Sequence, residues 1–363
     1  MSTNNTHLYT LDIINSTQPM ITPVFAKIDY LTYATRWFNQ FVVGPVICSV
    51  GIVSNVISIV IIVKSGLRKP SNIFLFGLAI ADTMALLYIF DVSDYLYMQN
   101  RDCIYYGCNL LFFSYAPALT LFVFKVFLFF LSALGARLST VITVIITAER
   151  LIAVFNPLKL KRIVTRSRAW MVLFFSLLFW LPWSIFQIFW FKFNSEYNDR
   201  FQSFTTWDSM SDYFNSSSFD VGWFSDVIIS QPSHTLPLII VAIGSLAISI
   251  KLRIIASHRQ KMVSGTSVQR SASKTTKTLL MVCLIYSITR FCFVIRYIPS
   301  FYFDDSDVNK VSLFYDIIRY RFVDINSSCN FFVYVAFNPT FRHIFENLFS
   351  RRRIEEESES AYA

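Results

Sequence analysis

Charge is scarce in this chain. Only 15% of its 363 residues are Asp, Glu, Lys or Arg, and histidine occurs four times. Glycine (9) and proline (11) are sparse as well, and no segment repeats another. A secondary transporter is built from internal repeats and interrupted helices around a midplane site, and neither is visible. An intramembrane enzyme needs a nucleophile or metal-ligating constellation within its apolar segments. His7, His234, His258 and His343 fall outside the middle of those segments, and no such pairing stands out. The net charge of +9 has no folded basic domain to display it to nucleic acid.

What the chain has instead is apolar length. Apolar residues make up 54% of it and phenylalanine alone contributes 38. A helix needs about 20 predominantly apolar residues to cross a bilayer. Stretches near 41–63, 72–96, 118–153, 167–191, 235–255, 276–300 and 311–336 meet that length, the third and seventh interrupted by charges. Charge inside lipid is costly and usually functional, so Asp82, Arg137, Arg290 and Asp324 call for partners.

Lys and Arg cluster after the first span, between the third and fourth, between the fifth and sixth, and after the seventh. The alternate loops are acidic. The positive-inside rule then places the N-terminus outside and the C-terminus in the cytoplasm. Residues 1–36 are polar and lack the layout of a cleavable signal peptide, so the first span is expected to act as its own insertion signal. Asn4, Asn15 and Asn215 open glycosylation triplets on the expected outer side. Asn326 opens another, but inside the seventh span, where it should be unused. Of six cysteines, Cys48, Cys283, Cys292 and Cys329 fall within spans, where small apolar packing is the default. Cys103 and Cys108 share an outer loop and either close a small ring or remain two free thiols.

The polar residues within the spans form a series. It runs from Gly51-Ile52-Val53-Ser54-Asn55 through Leu78-Ala79-Ile80-Ala81-Asp82 to Ser139 and Thr147-Ala148-Glu149-Arg150-Leu151. Ala153-Val154-Phe155-Asn156-Pro157-Leu158, Pro237 breaking the fifth span, and Asn326-Ser327-Ser328-Cys329-Asn330-Phe331-Phe332-Val333-Tyr334 follow, with Phe341-Arg342 beyond. In that order, over roughly residues 38–350, the chain resembles the rhodopsin-like (class A) G protein-coupled receptors. The Asn-Phe-x-x-Tyr form is that of invertebrate neuropeptide receptors of the FMRFamide type. The resemblance implies an all-α membrane protein: a seven-transmembrane helix bundle with a short amphipathic eighth helix. Residues 1–37 would be an extracellular glycosylated tail, 38–350 the receptor domain and 351–363 a cytoplasmic acidic tail.

The same resemblance implies roles. Glu149 and Arg150 would hold each other in the inactive state, and Arg150, Asn330 and Tyr334 would act in activation and G protein coupling. The other reading of Arg150 is a side chain snorkelling at a helix end, and of Tyr334 an interfacial aromatic anchor. Asp82, Ser139, Asn326, Ser327 and Asn330 match the family's sodium pocket, a plausible hard-cation donor set, so Na+ is the one expected ion. Partners would be an extracellular peptide or small ligand, a heterotrimeric G protein and the plasma-membrane bilayer. Arrestin and receptor kinases would act on the inner face, where residues 264–278 carry hydroxyls among Arg270, Lys274 and Lys277.

Two features depart from the family pattern, the outer disulfide and span six. Lys125 stands where the family has its span-three cysteine, and residues 192–234 contain none, so the second outer loop lacks its usual tether. Span six carries Thr289-Arg290-Phe291-Cys292 in place of Cys-Trp-x-Pro, losing the kinking proline. Arg290 is expected either to pair with Asp82 or Asp324 as an internal cation or to snorkel towards polar water.

The ligand classes narrow by exclusion. Ser132 occupies the position of the amine receptors' Asp, and Asp324 that of the opsins' retinal lysine. In the outer half, Asp91, Lys125, Phe129, Ser132, Arg290, Arg296, Tyr297, Tyr320, Arg321 and Asp324 are the ligand-binding candidates, although aromatics at helix ends also serve as interfacial belts. Several arginines among aromatics suit a short amidated or acidic neuropeptide. A chemosensory small molecule or lipid is the alternative, with a transporter further behind.

Overall fold

Lipid offers no hydrogen bonds to a bare backbone, so a spanning segment must satisfy its own, and the long apolar runs do so as helices. A computed structural model describes residues 34, 35, 37–91, 110–112, 114–199, 202–211, 224–229, 231–260, 267–294 and 305–348. In chain order its helices are α1 (Gly44–Ser65), α2 (Pro70–Leu86), α3 (Tyr115–Phe155), α4 (Pro157–Ile163), α5 (Arg166–Ile188), α6 (Leu236–Gln260), α7 (Ser267–Val294) and α8 (Asp305–Phe337). A further helix, α9, covers 339–348. Among the described residues, five helices are long and apolar enough to cross a membrane: Asn39–Ser65, Pro70–Phe90, Tyr115–Phe155, Arg166–Ile188 and Gln231–Ile255. In α7 the apolar stretch is shorter, Leu280–Cys292.

The bundle is inside out relative to a water-soluble protein. On α1, Val46 and Val53 are each 59% exposed, and Val50, Val56, Val60 and Val63 share their outward face. The buried face of the same helix carries Gly51, Ser54, Asn55 and Ser58, with Asn55 only 1% exposed. Helix α6 repeats the pattern, turning Ile239, Ile243, Leu246 and Ile250 outward. An outer surface more apolar than the interior is stable only where hydrocarbon is the solvent, and small or polar residues then make the helix contacts.

Glycines set the closest approaches. A Cβ added at Gly135 on α3 would lie 2.6 Å from both the Ala81 carbonyl oxygen and the Ala85 nitrogen of α2. Around that contact α2, α3 and α5 share a core of Ile73, Phe74, Leu78, Leu138, Ile142 and Trp180. Gly66 ends α1 with φ +88°, a value open to glycine at little cost, and Asn72 Nδ2 donates to its carbonyl at 2.9 Å, fixing the turn into α2.

Four sequence expectations change. The chain is not wholly helical, because β1 (Leu110–Phe112), β2 (Phe191–Asn198) and β3 (Ser203–Met210) form an antiparallel sheet in the order β1-β3-β2. Pairing places Leu110 opposite Thr206, and Phe191 opposite Met210. Pro237 does not end the fifth span, which runs Gln231–Ile255, but stands where a π-helical stretch Gln231–Thr235 gives way to α6, a helix irregularity of the kind proline causes. The second apolar run leaves the α-helix at Leu86 and closes with a 3-10 turn Leu87–Phe90. The polar run after residue 264 is helical from Ser267, so the third inner loop is shorter than its composition suggests.

Candidate functional site

The buried polar residues converge from five helices. Asp82 of α2 is fully buried. One of its carboxylate oxygens accepts from Ser139 Oγ of α3 at 2.6 Å, and the other from Asn330 Nδ2 of α8 at 2.7 Å. Asn55 of α1 donates through Nδ2 to the Ser327 carbonyl at 2.9 Å. Asn326 Oδ1 receives a long contact from Thr289 Oγ1 of α7, 3.5 Å. Each of Asp82, Ser139, Asn326, Ser327 and Asn330 therefore lies buried in one polar seam. Its donors and acceptors are spread over separate helices, so a shift of any helix breaks a bond in it.

At one end of the seam stands a three-residue lock. Ser71 Oγ, at the start of α2, donates to Glu149 Oε1 at 2.6 Å. Arg150 Nη2 donates to Ser71 Oγ at 2.7 Å and to Glu149 Oε1 at 3.3 Å. Both charged residues are buried, where charge-assisted bonds are strong and a broken one is costly. Arg150 is thus held against the neighbouring helix rather than snorkelling. Tyr334, 2% exposed, lies in a cluster with Ile61, Ile62, Val282 and Phe331. Its ring is 5.5 Å from that of Phe341 on α9, and its hydroxyl has no hydrogen-bond partner among the described residues.

The ligand candidates scatter more widely. Phe129 packs between Tyr88 (6.4 Å between ring centres) and Phe191 of β2 (4.9 Å), bringing the sheet down onto α3. Ser132 donates to the Ala85 carbonyl at 2.8 Å, a tie between helices. Arg321 pairs with Asp324 at 2.6 Å and reaches Gln40 Oε1 at 3.3 Å. Asp91 is buried at the end of the 3-10 turn and Lys125 is half-buried on α3. Tyr320 lies in α8. Arg296, Tyr297, Cys103, Cys108, Asn4, Asn15 and Asn215 lie outside the described residues.

Arg290 follows neither of the two courses the sequence left open. It is 1% exposed and the largest fully buried side chain among the described residues, yet it forms no ion pair with Asp82 or Asp324. Asp324 is already committed to Arg321. Instead Arg290 Nη1 meets His234 Nδ1 at 3.3 Å, and its guanidinium sits 5.6 Å from the centre of the Tyr286 ring.

Three participants escaped the sequence reading. Ser71 and His234 carry no local signal, because their partners lie 79 and 56 residues away. The third is the support of Arg137, which donates to Ser184 Oγ at 3.0 Å and Gln187 Oε1 at 2.7 Å, with its guanidinium 5.8 Å from the Trp180 ring centre. Two polar residues three apart in an otherwise Phe- and Leu-rich helix were a legible sign of that face. Gln187→Leu is expected to strand a buried guanidinium N–H, costing about 1–3 kcal/mol or more. Thermal unfolding of the purified protein in detergent would show it as a lowered midpoint; an unchanged midpoint would mean that water replaces the amide.

These features define a polytopic helical membrane protein whose interior is joined by side-chain polar bonds. Residues 40–352 match the profile of the serpentine type 7TM GPCR chemoreceptor Srw family, and the chain belongs to it. It is 24% identical over 306 residues to the FMRFamide receptor of Drosophila melanogaster, covering 84% of this chain and 52% of that one. The chain thus spans about half the length of that relative. Neuromedin-U receptor 2 of Mus musculus is 24% identical over 317 residues, 86% of this chain and 72% of that one. The thyrotropin-releasing hormone receptor of Mus musculus is 28% identical over 149 residues, covering 40% and 33%.

Proposed function

We propose that the chain is a plasma-membrane receptor that binds an extracellular neuropeptide and activates a heterotrimeric G protein. The observation that carries this reading is the Glu149–Arg150–Ser71 lock at one end of a polar seam crossing the bundle. The relatives, named for FMRFamide, neuromedin U and thyrotropin-releasing hormone, support a peptide ligand. The family's description as chemoreceptors favours a small molecule as the second reading. In this proposal α7 and α8, of 28 and 33 residues, are the sixth and seventh spans, and α9 lies along the inner membrane face. The N-terminus is outside, as the basic inner loops favour.

The mechanism is a population shift. Ligand bound at the sheet-covered end favours an arrangement in which α7 leaves the lock end, Arg150 is freed and Tyr334 turns inward. A groove then opens for the G protein, and the hydroxyl-bearing start of α7 becomes a substrate for receptor kinases and a prelude to arrestin binding. The oxygens of Asp82, Ser139, Asn326, Ser327 and Asn330 form a donor set suited to a sodium ion, which would hold the closed arrangement. Asp82→Asn is then expected to remove any sodium dependence of ligand affinity; a preserved dependence would move the ion elsewhere.

The receptor reading is tested by a G protein dissociation assay in cells expressing the chain, challenged with a library of short amidated peptides and, separately, small odorants. A concentration-dependent response to peptides supports it. Silence at full surface expression, with saturable solute uptake, would replace it with a transporter.

A further inference from the structure

Arg290 presents an unusual balance of charge. A guanidinium stays protonated at any physiological pH, and taking it out of water is expensive unless a counter-charge meets it. Arg290 is almost wholly buried and no carboxylate pairs with it among the described residues. Arg137, the other buried arginine of the mid-bundle, has both terminal nitrogens hydrogen-bonded to oxygen atoms. Arg290 has only Nη1 engaged, on an imidazole nitrogen.

The unused donors are the informative ones. Among the described residues, Nε and Nη2 of Arg290 have no hydrogen-bond partner. These two nitrogens lie on the same edge of the guanidinium plane and point their hydrogens in parallel. That edge is the fork that grips a carboxylate through two charge-assisted bonds. His234 fixes the opposite corner and the Tyr286 face lies beneath the cation, so the fork is held in place. His234 is half-buried in the π-helical stretch leading into α6.

We propose that Arg290 is a preorganised receptor for a carboxylate on the ligand, with His234 as its positioning residue. The group can be a peptide's C-terminus, an acidic side chain of a peptide, or a small organic acid. All three supply a planar anion with two parallel acceptor oxygens. The proposal rests on the receptor reading only for what arrives; the site itself is read from the geometry of Arg290.

The test uses the purified full-length protein in detergent and three matched pairs of probes: phenylacetate and phenylacetamide, N-acetylphenylalanine and its amide, and acetyl-Phe-Glu-amide and acetyl-Phe-Gln-amide. Affinity is read from the concentration dependence of thermal stabilisation. The expected result is at least tenfold tighter binding of the acid than of the amide in one or more pairs, which also identifies the source of the carboxylate. Arg290→Gln should abolish that ratio. Arg290→Lys, keeping the charge but losing the fork, should reduce it. Acids and amides that bind alike, or acids that fail to stabilise at millimolar concentration, overturn the proposal. The wild-type ratio decides even if the variants misfold. The receptor reading is judged separately, by peptide-driven G protein dissociation, and survives a failure here.

Discussion

Ser71→Ala and Glu149→Gln are expected to raise ligand-free signalling, whereas Arg150→Ala abolishes signalling with or without ligand. The Ser71 hydroxyl is the hinge of this prediction, because it accepts from Arg150 and donates to Glu149 at once. Removing it leaves only the 3.3 Å contact between the two charges. Hydrogen bonds to charged groups contribute about 1.5–3 kcal/mol. A loss of that size from the closed arrangement alone shifts its balance with the open one by roughly 10- to 150-fold. Basal G protein dissociation at matched surface expression should climb towards the ligand-stimulated level. Arg150→Ala breaks the same lock but also removes the side chain offered to the G protein, so its basal signal should fall. If all three variants behaved alike, the lock would be a folding element and not a switch.

Gly135→Val is expected to deprive the cell surface of receptor. The atoms that a Cβ would meet belong to the α2 main chain at Ala81 and Ala85, each at 2.6 Å, with Met84 Cβ at 2.7 Å. A helix backbone cannot turn aside as a side-chain tip can. The two helices must separate along their contact, drawing Ser139 away from Asp82 one turn further on. Overpacking a core costs about 1–3 kcal/mol when side chains can adjust, and this site allows less adjustment. Gly135→Ala should show a smaller loss in the same direction. Surface labelling against total expression measures both, and normal delivery of the valine variant would mean that α2 and α3 pack less tightly than described.

The helices and their polar seam were legible because lipid imposes simple rules. Length and hydropathy located the runs that became α1, α2, α3, α5 and α6, and the cost of buried polarity singled out Asp82. Ser139 and Asn330 were matched by motif and both donate to Asp82, whereas Asn55 reaches the Ser327 carbonyl of α8 rather than the second span. Local pattern failed where the partner is remote or the main chain decides. Arg290 was readable as a buried cation, but whether it turned to Asp82 or to His234 depended on helix rotation, which no span length encodes. Ser132 looked like a ligand position and is bonded to a carbonyl. The strands β2 and β3 were hidden within a loop rich in Phe and Trp, since pairing there depends on register between distant segments.

That sheet has a consequence for how the ligand end can change. Its ladder is made of main-chain groups, from Phe191 opposite Met210 to Asn198 opposite Ser203, with Leu110–Phe112 along the other side of β3. Such bonds are indifferent to the side chains that hang from them, whereas a covalent clasp would fix two positions outright. The roof can therefore exchange the residues it turns inward, one at a time, and remain a roof. The far end has no such freedom, because the lock is written in the side chains of Ser71, Glu149 and Arg150. In the proposed receptor, a recognition surface open to retuning would thus be joined to a transmission device that tolerates almost none.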